Sequence, residues 1–407
     1  MEHLKLPEFL LLLVVVLAGA KLGGALAHRI GQPTVLGEML AGVLLGASVA
    51  GWVDPTQEVL HLMAELGVII LLFEIGLETD LKKLIAVGGA SSAVAIVGVV
   101  LPFALGYAAC RLMGLENLVA IFVGAALTAT SVGITARVLS DLGRLQDREG
   151  QVILGAAIID DVVGLVILAV VTGLAQGQEV SVFSVASTTA IAFGFLIVTL
   201  AVGRFLVPGL SHIMRRIPLP GTPSILALLV VLGLAWLAFQ SGSAPIIGAF
   251  AAGLLLRETP QSREIEHGVA NIGHFFVPIF FVSVGAAVDV RAFNPLDPES
   301  HFTLLLGVLL VVAALIGKFA AGYAPFWTRL NKNMIGVGMI PRGEVGLIFA
   351  KLGLDHEVFD QRLFSAVALM VMVTTFIAPP LLKWMLVAKK RDSTSEGIED
   401  LVAGPED

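Results

Sequence analysis

The stretch Gly155-Ala-Ala-Ile-Ile-Asp-Asp-Val-Val-Gly-Leu-Val-Ile-Leu-Ala-Val-Val171 places two adjacent carboxylates, Asp160 and Asp161, within an otherwise apolar run. A charged side chain at the centre of a membrane-spanning helix costs about 2.5–3.5 kcal/mol or more. Two adjacent charges at that depth therefore need a partner, a proton or a bound cation. The run predicts a transmembrane helix with ion-binding groups in its interior.

The composition of the whole chain supports a membrane protein. Of its 407 residues, 57% are hydrophobic and 14% are charged, whereas soluble domains have about 25% charged residues. The sequence contains no glycine-rich phosphate loop, nucleophile–base pattern or metal-ligand motif, so we expect neither an enzyme nor a bound cofactor. Nothing in it indicates a nucleic-acid partner. The single cysteine, Cys110, excludes an intramolecular disulfide bond.

Apolar runs of roughly 17–25 residues, the length that a bilayer requires, occur thirteen times along the chain. They predict an all-α polytopic membrane protein with thirteen transmembrane helices, the first of which is a retained span. Residues 387–407 are expected to form a short, disordered cytoplasmic tail. The thirteen runs are 8–28, 33–53, 59–79, 85–110, 117–140, 151–175, 182–206, 222–240, 243–257, 271–290, 302–326, 333–354 and 362–386.

Positively charged residues suggest an orientation for these spans. With the N-terminus outside, 16 of the 25 Lys and Arg residues lie in inner loops, at inner span ends or in the tail, and five lie on the outer side. Short cytoplasmic loops of membrane proteins are enriched in Lys and Arg. The pattern therefore favours an N-out, C-in protein with an odd number of spans.

The two halves of the chain share glycine-bearing patterns at offsets of 209 to 211 residues. The members of each pair lie seven spans apart, so the two copies would run in opposite directions. We interpret the pattern as an inverted repeat, as in many secondary transporters; chance is the alternative, because the chain has 44 glycines. The pairs are Ala41-Gly42 with Ala252-Gly253, Gly76-x-x-x-Asp80 with Gly285-x-x-x-Asp289, and Gly133 with Gly343.

Two predicted spans have polar and helix-breaking residues at their centres. They contain Gly124-Ala-Ala-Leu-Thr-Ala-Thr-Ser-Val-Gly-Ile-Thr135 and Gly336-Val-Gly-Met-Ile-Pro-Arg-Gly-Glu-Val-Gly346. Irregular backbone at membrane depth occurs where it lines a cavity or is buried in protein. Paired interruptions of this kind indicate the binding site of a transporter. We predict two discontinuous crossing helices; two kinked helices with closely packed small residues are the alternative.

The residues at these interruptions are suited to ion binding. Hydroxyl oxygens of Thr130 and Ser131, with carbonyls freed from the helix, are candidate ligands for a small cation. Arg342 and Glu344 could neutralise the partial charges of opposed half-helix ends. A mutual ion pair between Arg342 and Glu344 that holds the crossing together is an equally good explanation, and the two roles are compatible.

Asp160 and Asp161 are expected to differ in their surroundings, because adjacent helical residues point about 100° apart. One should face the ion path and the other should meet a fixed partner. Lys318 is the candidate partner, since it is a cation in an apolar span with no acid of its own. Glu74 and Glu78, one helical turn apart, could mark an entry funnel, although hydrogen-bonded or interface-facing acids are the simpler interpretation.

Four segments carry a resemblance to a known family: Ala129-Thr-Ser-Val-Gly-Ile-Thr-Ala-Arg137, Ile159-Asp-Asp-Val-Val-Gly164, Ile316-Gly-Lys318 and Pro341-Arg-Gly-Glu-Val-Gly-Leu347. Together they resemble the bacterial sodium/proton antiporters of the second monovalent cation:proton antiporter family, of the thirteen-span NapA type. The resemblance extends over nearly the whole chain, from about Pro7 to Leu386.

The resemblance implies a homodimer in which a core domain moves like an elevator against a dimerisation domain. Within a transmembrane unit of residues 1–386, spans 1–3 and 8–10 would mainly form the dimerisation domain, and residues 85–175 and 302–386 the core domain. It also implies that Asp161 is the main carrier of the ion and of protons. Asp160 would form an alternating salt bridge with Lys318, a pattern associated with electrogenic exchange of two protons per Na⁺.

The predicted function is exchange of Na⁺ for H⁺ across a bacterial inner membrane by a multi-pass protein. Na⁺, bound by Asp161 and less certainly by Asp160, would compete with protons for one site, and the two acids and Lys318 would titrate as a coupled unit. K⁺/H⁺ antiport on the same scaffold is the alternative, with Li⁺ as a further cation. A cation channel is a remote alternative, since channels do not need paired broken helices with a buried Asp-Asp-Lys set.

Overall fold

The computed structural model describes residues 5–175, 182–217, 219–288, 290–293, 300–342 and 344–402, and these ranges are almost entirely helical. The helices are α1 (Leu6–Arg29), α2 (Thr34–Leu45), α3 (Glu58–Glu78), α4 (Leu81–Ala86), α5 (Gly88–Leu112), α6 (Asn117–Ala126), α7 (Val132–Asp141), α8 (Arg148–Ala175), α9 (Val182–Arg216), α10 (Thr222–Gln240), α11 (Pro245–Arg257), α12 (Ser262–Ala286), α13 (Ser300–Ala321), α14 (Lys332–Gly338), α15 (Glu344–Asp355) and α16 (Gln361–Val402), with a 3₁₀ turn at Val290–Phe293.

Nine helices in the described ranges are long and apolar enough to cross a membrane. Four shorter apolar helices accompany them, at Thr34–Leu45, Asn117–Ala126, Pro245–Arg257 and Val345–Leu354. Many large apolar side chains are exposed on the outer helices, as expected where lipid replaces water as the solvent. The protein is therefore an all-helical, multi-pass membrane protein, as predicted.

Two predicted spans are each divided into two helices. In the first, α6 ends at Ala126 and α7 begins at Val132; in the second, α14 ends at Gly338 and α15 begins at Glu344. Thr128 Oγ1 donates to the carbonyl oxygen of Ala125 at 2.7 Å and so satisfies a backbone acceptor at the end of α6. In the second break, Pro341 has no backbone donor for a continued helix.

Other boundaries differ from the predicted spans. α2 ends at Leu45, because Gly46 is extended and Gly51, at φ +70°, turns the chain. α9 continues to Arg216, and α12 begins at Ser262, well before the predicted 271. α16 continues to Val402, beyond the predicted end of the last span at 386, and the disordered cytoplasmic tail stays a prediction. Residues 403–407 and two of the predicted repeat markers, Asp289 and Gly343, lie outside the described residues.

Glycines allow four helices to pack backbone against backbone. α2 and α12 meet at Gly42 and Gly285, and α3 and α11 meet at Gly76 and Gly253. A Cβ atom on any of these glycines would overlap a carbonyl oxygen of the facing helix. Close contact of this kind is how helices associate in a bilayer. The carbonyl oxygens belong to Val282, Met39, Phe250 and Phe73, in the order of the glycines named above.

A second group of helices packs around its own buried core. Helices α5, α6, α13, α15 and α16 contribute to it, and the rings of Phe122 and Phe359 meet edge to face at 6.0 Å between centroids. α8 contributes to both buried cores, with Ala156 and Ala157 in the larger core and Val171 in this one. The aspartate pair of α8 therefore lies between the two cores.

Candidate ion-binding site

Helix α8 places both aspartates in the interior of the protein. Asp160 is completely buried and Asp161 is 8% exposed. Ile158 and Val162 on the same helix are also buried. Carboxylates with so little access to water require compensation by cations, hydrogen bonds or protons.

Lys318 of α13 and Thr130 of the α6–α7 break both contact Asp160. Lys318 Nζ lies 2.6 Å from Asp160 Oδ2, and Thr130 Oγ1 donates to the same oxygen at 2.7 Å. Lys318 is completely buried and Thr130 is 1% exposed, so the interaction is hardly screened by water. The structure thus brings together three residues that lie far apart in the sequence.

The two helix breaks meet directly beside this ion pair. The backbone N–H of Ser131 donates to the carbonyl oxygen of Pro341 at 2.9 Å. Thr135 Oγ1 donates to the carbonyl oxygen of Gly338, also at 2.9 Å, and so satisfies an acceptor at the end of α14. These hydrogen bonds hold the irregular segments against each other where neither can complete a helix.

Arg342 is completely buried at the second break. Its Nη1 donates to the carbonyl oxygen of Met339 at 3.4 Å, at the C-terminal end of α14, where a positive charge is favourable. Thr375 of α16 donates through Oγ1 to the carbonyl oxygen of Arg342. Glu344 is the first residue of α15, but its side chain lies outside the described part of the structure, so its predicted pairing with Arg342 stays a prediction.

Several buried polar atoms at the crossing have no hydrogen-bond partner among the described residues. They are Asp160 Oδ1, Ser131 Oγ, and Nε and Nη2 of Arg342. Buried polar groups in folded proteins are normally satisfied, so unpaired ones mark a place for an ion, a proton or water. Oxygen atoms of carboxylate, hydroxyl and carbonyl groups are ligands that hard cations prefer. The donor set therefore fits a small cation as cargo.

Two residues beside the site, Gly98 and Thr375, could not be recognised from sequence patterns. A Cβ atom on Gly98 of α5 would lie 3.3 Å from Lys318 Nζ, so this glycine makes room for the ammonium group. Thr375 carries no charge and stands in an ordinary apolar span. The repeat pattern does not identify these two residues either, because each one reaches the site only through packing between helices that are distant in the sequence.

The acids of the third span lie in a separate polar cluster around α7. Ser140 Oγ donates to a carboxylate oxygen of Glu78 at 2.9 Å, and Arg137 pairs with Asp141 at 3.1 Å. Arg137 is also close enough to Glu74 to interact with it electrostatically. These contacts agree with interface-facing acids; the entry funnel stays a prediction.

The same cluster connects α2 to α7. Thr34 Oγ1 donates to Asp141 Oδ2 at 3.2 Å, and Glu38 of α2, which is buried, interacts electrostatically with Arg137. Nearby, Asp80 caps α4, and hydrogen bonds from the backbone N–H groups of Lys83 and Lys82 hold the pKa of Asp80 below its usual range. The cluster thus connects α2 and α3 to α7, the second half of the first divided span.

Comparison with known proteins places the whole chain in one family. The family model described as "Sodium/hydrogen exchanger, transmembrane" matches residues 12–388. The chain is 40% identical to the high-affinity Na⁺/H⁺ antiporter NhaS3 of Synechocystis sp., over 97% of this chain and 93% of the relative. It is 38% identical to the Na⁺/H⁺-K⁺ antiporter GerN of Bacillus cereus, over 94% of this chain and 98% of the relative.

The fold is similar to that of a solved antiporter. The structure of the sodium proton antiporter MjNhaP1 from Methanocaldococcus jannaschii aligns with a TM-score of 0.66, covering 94% of this chain and 97% of the other at 16% identity. The prediction of a transporter rather than an enzyme is confirmed by the family. The chain belongs to the sodium/hydrogen exchanger family of membrane antiporters.

Proposed function

We propose that this protein exchanges Na⁺ for H⁺ across a bacterial inner membrane. The names of the two relatives support Na⁺ as cargo, since they cover nearly the whole chain at 40% and 38% identity. The observation that carries the proposal is the buried carboxylate of Asp160. Its Oδ2 contacts both Lys318 and Thr130, while its Oδ1 has no hydrogen-bond partner among the residues that the structure describes.

The proposed mechanism is competition between Na⁺ and protons at the aspartate pair. Asp161 is the main carrier, and the hydroxyl groups of Thr130 and Ser131 contribute oxygen ligands. Na⁺ can bind only when the aspartate pair carries negative charge that balances the charge of the ion. Protonation of the pair removes that charge and releases the ion. Asp160 exchanges its partner between Lys318 and the bound species, which accounts for two protons per Na⁺ and an electrogenic cycle.

The proposed topology has thirteen spans, with the N-terminus outside and the C-terminus inside. Its support is that the nine long apolar helices and the four shorter ones each stand at one of the thirteen apolar runs. The two runs with polar centres are those divided into α6 with α7 and α14 with α15. An odd number of spans keeps the basic loops on one side.

Glycine contacts support the inverted repeat. The contact between Gly42 of α2 and Gly285 of α12 is repeated between Gly253 of α11 and Gly76 of α3. The repeat pairs Gly42 with Gly253 and Gly76 with Gly285, so one operation carries α2 onto α11 and α12 onto α3. The shared packing partners support the inverted repeat over a chance similarity of glycine positions.

A second pair of contacts recurs at an offset close to the 209 to 211 residues of the glycine pairs. Tyr107 of α5 donates to Asn117 Oδ1 at the start of α6, at 2.7 Å. Tyr323, just after α13, donates to Asn333 Oδ1 at the start of α14. Both residues of the second contact lie 216 positions after those of the first. This supports a repeat that includes the helices around the site.

The proposed assembly is a homodimer that works by elevator-type alternating access. The close packing of α2 on α12 and of α3 on α11 supports a dimerisation domain, mainly spans 1–3 and 8–10. The separate core of α5, α6, α13, α15 and α16 supports a core domain, mainly residues 85–175 and 302–386. Helix α1 has a largely exposed apolar surface, including Leu11 at 64% and Leu22 at 67% exposure, that a partner or lipid would cover. α9 would link the two domains, because it connects α8 to α10.

K⁺/H⁺ exchange is the second candidate function. The relative GerN is a Na⁺/H⁺-K⁺ antiporter by name, and this similarity favours K⁺ as a second cargo. The site chemistry does not separate the two cations, since both bind oxygen ligands. A cation channel on this scaffold remains the remote alternative, and it differs by passing current without an obligatory proton gradient.

The test is transport by the purified protein in proteoliposomes that contain a pH-sensitive dye. Addition of Na⁺, K⁺ or Li⁺ at several pH values should give proton release that is strongest with Na⁺. Asp161→Asn should abolish the signal, whereas Asp360→Asn, which removes a carboxylate at the start of α16, should retain it. Equal activity of Asp161→Asn and wild type would overturn the site assignment, and a response to K⁺ alone would favour the second candidate.

A further inference from the structure

Helices α3 and α7 run side by side in the same direction, across the boundary between the two proposed domains. A Cβ atom built on Gly133 of α7 would lie 3.5 Å from Leu71 Cδ2 of α3. Seven residues further along each helix, Ser140 Oγ donates to Glu78 at 2.9 Å. Both contacts join residues 62 positions apart, so the two helices are parallel and keep one register.

Arg137 of α7 lies on the same face, between these two contacts, because positions 133, 137 and 140 have the spacing of one helix face. The register places it beside Glu74 of α3, with which it interacts electrostatically. Arg137 Nε also lies 3.1 Å from Asp141 Oδ1 of its own helix. That nitrogen is buried and makes no hydrogen bond within the described ranges, so the present pairing leaves it unsatisfied.

The possible partners of Arg137 are distributed unevenly along α3. Glu78 stands one turn inward of Glu74, whereas residues 70–73, on the outer side, are apolar and buried. A charged group inside a membrane protein needs a partner of opposite charge. α7 can therefore shift inward by one turn, about 5.4 Å, and keep Arg137 beside a carboxylate. An equal shift outward would leave the guanidinium group among apolar side chains.

Other charged groups at this boundary favour the inward position. Glu266 of α12 interacts electrostatically with Glu78, so a cation that arrives at Glu78 relieves a repulsion between like charges. Glu38 of α2 is buried and interacts with Lys21 as well as with Arg137. Glu38 therefore has a second basic neighbour when Arg137 moves away.

The same boundary is closed at its inner end and open in its outer half, in the proposed topology. At the inner end, Thr34 of α2 donates to Asp141 of α7 at 3.2 Å. In the outer half, a cavity of about 20 Å³ separates Met39 and Gly285 from Val371, which is room for about one water molecule. This arrangement corresponds to an outward position of the core domain, from which the next movement is inward.

We propose that Arg137 exchanges Glu74 for Glu78 when α7 slides inward along α3 by one helical turn. The proposal rests on the elevator-type movement proposed above and names an ion-pair exchange that guides it. Glu78 gives up the hydroxyl of Ser140 for a guanidinium group, which donates stronger, charge-assisted hydrogen bonds. One-turn shifts of packed helices past each other are a recognised form of switching. Arg137 is a positioning residue that stabilises the two registers in turn.

The test traps the two registers with cysteine pairs in the full-length protein in native membranes, in a Cys110→Ala background. Gly133→Cys with Leu71→Cys reports the register of this structure, and Gly133→Cys with Ile75→Cys reports the shifted one. Arg137, Glu74 and Glu78 stay intact in both pairs. A short cross-linker, applied with and without Na⁺, should join both pairs, as measured by mass spectrometry of the linked peptides.

The result separates this proposal from the proposed function. If the protein exchanges Na⁺ for H⁺ but only the pair at 133 and 71 becomes linked, the proposal is wrong and the function stands. If both pairs become linked in a protein that does not exchange Na⁺, the register shift is supported and the proposed cargo is wrong.

Substitution of the two acids should change the register in opposite directions. Glu78→Gln should lower the yield of the pair at 133 and 75 about tenfold, the effect of one hydrogen bond to a charged group. Glu74→Gln should raise that yield. Glu65→Gln, at an exposed acid nearer the outer end of α3, is the matched control and should leave both yields unchanged. Equal effects of Glu74→Gln and Glu78→Gln would overturn the proposal.

A measurement without cysteines keeps the test decisive if Leu71→Cys or Ile75→Cys does not fold. Arg137→Gln and Glu78→Gln should each slow exchange about tenfold, whereas Arg137→Lys, which keeps the charge, should retain most of the rate. The double variant Arg137→Gln/Glu78→Gln should be no slower than either single variant, because both substitutions remove the same ion pair. A double variant slowed by the product of the two single effects would overturn the proposal.

Discussion

Lys318 contacts Asp160 through a single 2.6 Å interaction in which neither side chain is exposed to solvent. Thr130 donates to the same carboxylate oxygen, so the second oxygen remains available. An ion pair of this kind is costly to bury and strongly destabilising to break on one side only. It is therefore suited to a switch in which an incoming cation or proton replaces one partner.

Removing one member of this pair should destabilise the protein. Lys318→Gln leaves Asp160 buried without its cation, and we expect a loss of about 3–5 kcal/mol in the free energy of unfolding. The double variant Asp160→Asn/Lys318→Gln should recover part of that loss. Thermal unfolding in detergent measures both, with Lys82→Gln at an exposed position as the control.

The same variants report on function. Lys318→Gln should remove the voltage dependence of exchange in proteoliposomes, because the proposed electrogenic cycle needs the second charge. Two results would contradict the role assigned to Lys318. One is a stability loss in the double variant equal to the sum of the losses in Asp160→Asn and Lys318→Gln. The other is voltage dependence equal to that of wild type in Lys318→Gln.

The hydroxyl of Ser131 should contribute to cation binding, because it is buried and has no hydrogen-bond partner among the described residues. Ser131→Ala should raise the Na⁺ concentration for half-maximal exchange about tenfold, the effect of a contact worth about 1.4 kcal/mol. Ser243→Ala removes another buried, unpaired hydroxyl at a turn away from the site and is the matched control. Equal effects of the two substitutions would show that Ser131 is not a ligand.

Gly98 should be intolerant of a side chain because of its distance to Lys318. A Cβ atom there would lie 3.3 Å from Nζ and 3.6 Å from Cδ of the lysine. We expect Gly98→Val to cost about 1–3 kcal/mol of stability by overpacking and to slow exchange, with a smaller effect for Gly98→Ala. Gly89→Ala on the same helix has open space around it and should be neutral or slightly stabilising, as measured by the melting temperature. If Gly98→Val exchanged cations for protons at the wild-type rate, the space around Lys318 would not be restricted by residue 98.

Restraining α2 of the proposed dimerisation domain against α7 of the proposed core domain should stop transport if the two domains move past each other. Thr34 and Asp141 touch across this boundary at 3.2 Å. In a Cys110→Ala background, cysteines at both positions joined by a short cross-linker should block exchange, and a reducible linker should restore it on reduction.

The matched control for that cross-link is the pair Tyr107 and Asn117, which contact each other within one helix group at 2.7 Å. Linking these positions should leave exchange intact. Full activity after complete cross-linking of Thr34 to Asp141 would argue against movement between the groups.

Competition between Na⁺ and protons should make the apparent Na⁺ affinity fall as the pH falls. Each proton displaced by a bound ion changes the half-saturating Na⁺ concentration by up to about tenfold per pH unit, so two protons give up to about a hundredfold. Dye-quench assays at fixed Na⁺ steps from pH 6 to pH 9 measure this slope. A half-saturating concentration independent of pH would exclude a shared site.

Much of the architecture could be predicted from local patterns. Apolar runs identified the membrane helices, because a bilayer requires apolar segments of sufficient length. The polar centres around Thr130 and Pro341 indicated the two breaks, since neither segment can satisfy its backbone as a regular helix. Boundaries were less predictable: the early end of α2 depends on the turn at Gly51, and the continuation of α9 to Arg216 depends on packing outside the apolar run.

The sequence by itself determined that Asp160 and Asp161 are buried membrane carboxylates that need compensation, because they stand in an apolar run with no nearby cation. The residues alone left open which of the two acids meets Lys318; the tertiary structure places Asp160 in contact with it, as the resemblance implied, in a contact that joins residues 158 positions apart. It also decided that Thr130 supports the same oxygen and that Gly98 makes room for the lysine. Composition and periodicity describe one helix at a time, whereas a site between helices depends on how they pack.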